Sequence, residues 1–130
     1  MTPAEEPVRA RVLCDVQEAA AAGAADGAAG ILWKLAEAGR QLDANLVRLA
    51  PGARVPAHAE PDLDVLVLVV AGTGELDADP RQPGTPLTPG ALVWLPHGAT
   101  RGIAAGEQGL SYVTVHRRRP GMRIGRRPGA

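Results

Sequence analysis

The chain has 130 residues, 14 basic and 14 acidic side chains, one cysteine and no phenylalanine. That length suits one domain around one core, and no apolar run is long enough to cross a bilayer. The start, Met-Thr-Pro-Ala-Glu-Glu-Pro, has no basic stretch leading into an apolar one, and a lone Cys14 excludes an internal disulfide or a cysteine zinc site, so a reducing cytoplasm is the expected location.

Residues 1–30 read as a lead-in. Val16 to Ala22 is an alanine-rich stretch with Asp15 placed to cap it, and Gly23, Gly27 and Gly30 act as breakers, which predicts a short, weak helix and then a loop. Ile31 to Leu35 and Gln41 to Leu49 are expected to form a hairpin around Ala38-Gly39. In the second of these, Leu42, Ala44, Leu46 and Arg48 alternate with Asp43, Asn45, Val47 and Leu49.

From there the chain is punctuated by Pro51-Gly52, Gly72-Thr73-Gly74, Pro80 to Gly84, Pro89-Gly90, Pro96 to Gly98 and Gly106 to Gly109. Each of these reads as a turn. Between them lie short apolar runs at Arg54 to Ala57, Val65 to Ala71, Glu75 to Ala78, Ala91 to Leu95, Gly102 to Ala104 and Leu110 to His116. Short strands at this spacing predict an all-β sandwich or barrel over residues 31–116. Residues 117–130 form a basic tail: they hold six of the fourteen basic residues, while every acid lies before residue 108. Such a tail suits docking on the acidic body or on a second subunit. It carries no aromatics, no lysine and two Pro-Gly breaks, and no helix-turn-helix or zinc-finger pattern accompanies it, which argues against nucleic acid as a partner.

Two segments together resemble the paired signature of the cupin superfamily. Its first segment is Gly, five residues, His, one residue, His, three or four residues, Glu, six residues, Gly. Here Gly52, His58 and Gly72 fit, and Glu60 stands at the second His position. The second segment is Gly, five residues, Pro, one residue, Gly, two residues, His, three residues, Asn. Gly90, Pro96 and Gly98 fit, while Arg101 replaces the His and Ala105 the Asn. The resemblance covers roughly residues 42–116. It implies a double-stranded β-helix, a jelly-roll barrel, with a short helical or irregular segment before it. It also implies pairing into a homodimer.

The signature's turn positions are kept, and its metal positions mostly are not. The resemblance implies a metal held by three His and one Glu inside the barrel. A divalent ion needs about three or more converging N or O donors. His58 is one, and Glu60, two residues on, shares its side of a strand. Counting forward from Glu60 puts Asp64 at the Glu position; counting back from Gly72 puts Val65 there. A one-residue slip reverses the face of every side chain. The backward count rests on the longer strand and the glycine turn, and it turns Val65, Val67 and Val69 inward. Arg101 suits Glu60 or an anionic ligand better than a cation.

Three functions follow. The first is a barrel that binds a small polar or anionic molecule through His58, Glu60 and Arg101, with Trp94 at its mouth. The second is a metal-dependent enzyme of oxygenase, isomerase or decarboxylase type, with iron, manganese, nickel or zinc on His58, Glu60 and Asp64, joined by His97. The third is a dimeric module without catalysis.

Overall fold

A computed structural model describes residues 8–119. Helix α1 spans Val16–Ala25, and the Asp15 side chain accepts a hydrogen bond from the Glu18 backbone N–H, as capping requires. The helix runs one turn further than its glycines suggest. Gly23 is buried, and a Cβ there would stand 2.7 Å from a Leu32 methyl, so the missing side chain is what lets the helix lie close to the sheet.

Seven strands follow: β1 (Gly30–Lys34), β2 (Leu42–Leu49), β3 (Arg54–Ala59), β4 (Val65–Asp77), β5 (Thr85–Leu87), β6 (Leu92–Leu95) and β7 (Thr100–Arg117). The hairpin expected between residues 31 and 49 is present, with Trp33 opposite Leu46. Two of the expected turns are not turns. Gly72-Thr73-Gly74 lies inside β4 and Gly106 to Gly109 inside β7, and both strands run on through them.

Those glycines bend the two strands together. Gly72 and Gly109 both have positive φ, and a Cβ on Gly72 would fall 2.1 Å from the Gly109 carbonyl oxygen. The ladder between β4 and β7 shifts register there, between Val69 and Ala71 and again between Gly72 and Gly74. Bulged glycines turn a strand sharply without ending it. Each long strand therefore serves two sheets. The first half of β4 and the second half of β7 pair with β6 and β2, and β1 extends that layer. The remaining halves pair with β5 and β3.

The core lies between the layers. Val65, Val67 and Val69 are buried there with Tyr112, Leu110, Leu95, Leu87, Ile103 and Leu63. The backward count from Gly72 thus matches the observed face, and Asp64 points the other way. On the outer face of the first layer, α1 lies against β1, β2 and β4. Leu46 is on that face by register and is fully buried. Arg48 is buried beside it, its guanidinium donating to the Ala28 carbonyl at 2.8 Å.

Candidate functional site

The end of the barrel away from the Gly72–Gly109 corner collects the chemistry. Arg101 is the second residue of β7 and lies two residues before the core residue Ile103, so it faces inward. It is 6% exposed. Its guanidinium donates to the Ala99 carbonyl at 3.2 Å, and among the described residues it forms no ion pair. A guanidinium has five N–H donors, so one carbonyl leaves most of them for something else. Its register partner is His58 on β3, an exposed residue whose Nδ1–H donates to the Pro56 carbonyl at 2.9 Å. That hydrogen bond leaves Nε2 as the free nitrogen.

Opposite them, β2 and the end of β7 bring Asp43, Asn45, Thr114 and His116 to the same end, with Asp43 paired to His116 and Asn45 to Thr114. Asn45 Oδ1 is buried and has no hydrogen-bond partner among the described residues. Asn45 stands with Val47 and Leu49 on the inward phase of β2, so the strand's alternation was the signal for it. Tyr112 completes this wall, and burial pushes its hydroxyl pKa up.

Glu60 is placed differently from expectation. It does not pair with Arg101. Its Oε1 accepts from the Arg119 guanidinium at 2.9 Å, and Oε2 accepts from the backbone N–H groups of Asp62 and Leu63. The Asp62 N–H, then the Arg119 and Leu63 contacts, hold its pKa at about 2, against burial. Arg119 also donates its backbone N–H to Asp43 at 3.2 Å. That hydrogen bond and the Arg40 side chain lower the Asp43 pKa. Arg119 therefore ties the loop after β3 to β2 across the barrel end.

Protonation of Glu60 must break this tie. Its stabilisation is complete above the ordinary value of 4.5 and is lost as the pH falls toward about 2. The Glu60→Gln variant should lose stability at neutral pH, and its urea midpoint should fall less steeply than the wild type's between neutrality and about pH 3. Parallel curves for the two proteins would remove Glu60 as the titrating group.

Of the tail, Arg117, Arg118 and Arg119 are described, and all three lie on the body. Arg117 donates to the Asp62 carbonyl and Arg118 to the Ala38 carbonyl. The remaining three arginines lie outside the described residues.

Asp64, His97 and Trp94 come together, but on the outer side. Asp64 Oδ1 accepts from the His97 backbone N–H at 2.8 Å and from its Nδ1–H at 2.6 Å, and these bonds lower the Asp64 pKa. Both side chains are more than half exposed. Trp94 pairs with Leu66, whose neighbours Val65 and Val67 face the core, and it is 65% exposed. Trp94 is therefore on the outer surface and not at the barrel mouth. A shallow groove of about 370 Å³ runs there between Leu42, Leu66, Trp94 and Val115.

The four residues named as metal donors are thus divided. His58 and Glu60 are at the barrel end, with Glu60 engaged by Arg119, while Asp64 and His97 bind one another outside. Val65 and Arg101 occupy the other two expected ligand positions. Among the described residues no three His, Cys, Asp or Glu side chains converge. This donor set does not fit a three-His, one-Glu metal centre.

Comparison with known proteins decides the family of folds. No family model matches the chain, and no curated protein matches it. Solved structures do. KdgF from Halomonas sp. is 23% identical, with 69% of this chain and 78% of that one covered and a TM-score of 0.57. A cupin-2 domain containing protein from Shewanella frigidimarina is 19% identical over 70% of this chain and 80% of that one, with a TM-score of 0.55. The chain has the cupin fold. A cupin described as a sugar phosphate isomerase, from Silicibacter pomeroyi, is 27% identical with a TM-score of 0.54, over 62% of this chain and 53% of its own. This cupin barrel thus spans about half of that protein's length.

Proposed function

We propose that this cupin binds a small polar anion, a carboxylate or phosphate, at the end of its barrel where Arg101 stands, and that it does so as a homodimer. The observation that carries the reading is Arg101: a guanidinium 6% exposed, facing inward, with one carbonyl as its partner among the described residues. Buried charges are normally paired, so a site of this kind suits an anion that arrives from outside. Arg119 and Arg40 stand around the same end, although each already has a carboxylate. The unpartnered Asn45 oxygen asks for a donor. A ligand with an acidic group and a hydroxyl, such as a hydroxy acid or a sugar phosphate, meets both demands. The likeness to a cupin described as a sugar phosphate isomerase is in keeping with that class.

The reading is tested by thermal shift and calorimetry with inorganic phosphate, small hydroxy acids, sugar phosphates and the corresponding neutral sugars. Saturable binding of at least one anionic compound, with neutral sugars inert, is the expected outcome. If every anion leaves the melting curve and the heats unchanged, the barrel is not an anion site. Elemental analysis belongs beside it: stoichiometric iron, manganese, nickel or zinc, lost in His58→Ala, would favour the metal-enzyme reading instead.

A further inference from the structure

Two carboxylates form the outermost inward rung on facing walls of the barrel end. On one wall, Glu60 lies two residues past His58, the register partner of Arg101, and its carbonyl accepts from the Gly98 N–H at 2.7 Å. It therefore shares the face of Arg101, one rung nearer the rim. On the other wall, Asp43 lies two residues before Asn45 on β2, in the same inward phase. Arg119 holds both carboxylates, Glu60 through its guanidinium at 2.9 Å and Asp43 through its backbone N–H at 3.2 Å.

The residues before Arg119 fasten the same segment. Arg118 donates its backbone N–H to the Gln41 carbonyl at 2.8 Å and its guanidinium to the Ala38 carbonyl at 2.9 Å. Arg117 reaches the Asp62 carbonyl at 3.2 Å. Residues 117–119 thus span the barrel end from β2 to the loop after β3, over the rung that holds Arg101. The two attachments differ in kind. Main-chain hydrogen bonds hold the segment beside β2, whereas only guanidinium groups reach the far loop. The Arg119 side chain is 56% exposed, so its ion pair meets water and salt, while Arg101 beneath is buried. An ion pair in that setting is weak and opens often.

We infer that the Arg119–Glu60 pair is a latch over Arg101, and that the anion site opens when this pair parts while Arg118 stays attached beside β2. The inference rests on the anion-binding reading above and adds its control. An arriving carboxylate or phosphate competes with Glu60 for the Arg119 fork, so the ligand class that suits Arg101 is also the class that releases the latch.

The test needs no ligand. The full chain is treated with phenylglyoxal, a neutral reagent for guanidinium groups, and each arginine is followed by peptide mass mapping. Arg48 is the internal control, because it is as buried as Arg101 but lies on the outer face of the sheet, bonded to the Ala28 carbonyl. Arg101 should react slowly in the wild type and at least about fivefold faster in both Arg119→Ala and Glu60→Gln, with Arg48 unchanged. One substitution removes a cation and the other an anion, so their direct effects on the Arg101 charge oppose, and a shared acceleration reports access. In the wild type, high salt should speed Arg101 and leave Arg48 alone. An Arg101 rate that is equal in all three proteins overturns the latch; anion binding then still stands or falls by the titrations above. Where a substitution also speeds Arg48 it has loosened the fold, and the salt series on the wild type decides: a flat Arg101 rate overturns the latch. If no anion binds but the acceleration of Arg101 is seen, the latch stands and the ligand reading fails.

Discussion

Gly72→Ala should destabilise the protein by about 3 kcal/mol or more, measured as a drop in urea midpoint at constant slope. Two effects add. An alanine in the left-handed region, at φ 78°, costs about 1–2 kcal/mol. The new methyl would also meet the Gly109 carbonyl oxygen 2.1 Å away and the Leu110 Cα at 3.1 Å, and all of these are backbone atoms that cannot swing aside. The two strands would have to part at the corner that joins the sheets, where Leu110 is almost fully buried. Gly52 separates the two effects. It has a similar φ of 74°, and a Cβ there has nothing within 4 Å. Gly52→Ala should therefore lose only the conformational part, about 1–2 kcal/mol. Equal losses in the two variants would mean that the corner gives way freely, and that the close approach does not hold the sheets in place.

Arg101→Met should remove anion binding while the folded protein keeps or gains stability. A methionine retains most of the buried aliphatic stem, and the charge that leaves has no carboxylate to abandon among the described residues. With ligand at 100 times its dissociation constant, the wild type should gain about 2.7 kcal/mol and the variant nothing. Arg101→Lys should bind more weakly than wild type but measurably, since it keeps the charge and loses the planar fork. A structural Arg101 gives the opposite pattern: the methionine variant would be markedly less stable without any ligand, and ligand would still stabilise it. Stability and binding together therefore distinguish the two roles.

Much of the architecture was legible in the chain. The alternation in Gln41 to Leu49, the β-branched run from Val65 and the Pro/Gly spacing announced strands, and the Gly52, Gly72, Gly90 and Pro96-x-Gly98 positions announced the barrel. These are local signals, because each depends on a backbone preference or a two-residue period. The glycines inside β4 and β7 misled for the same reason. A positive φ reads as a turn in one strand, but here two such glycines lie against each other, and contact between distant segments turns a break into a bend.

The candidate site divides along the same line. Arg101 could be singled out because a guanidinium stands where the signature has a metal ligand, and the count back from Gly72 turned Val65 inward. Its partners could not be read in this way. Glu60 went to Arg119 because backbone N–H groups two and three residues on hold one carboxylate oxygen and the chain end reaches the other. Trp94 lies outside because its strand pairs with Leu66 and not with Val65. The sequence alone determined most strand segments, though not β5 or the continuity of β4 and β7, and which side chains could carry chemistry, since both follow from residue type and short-range period. The tertiary structure decided which charges meet and which face each strand buries, since both depend on the register between segments far apart in the chain.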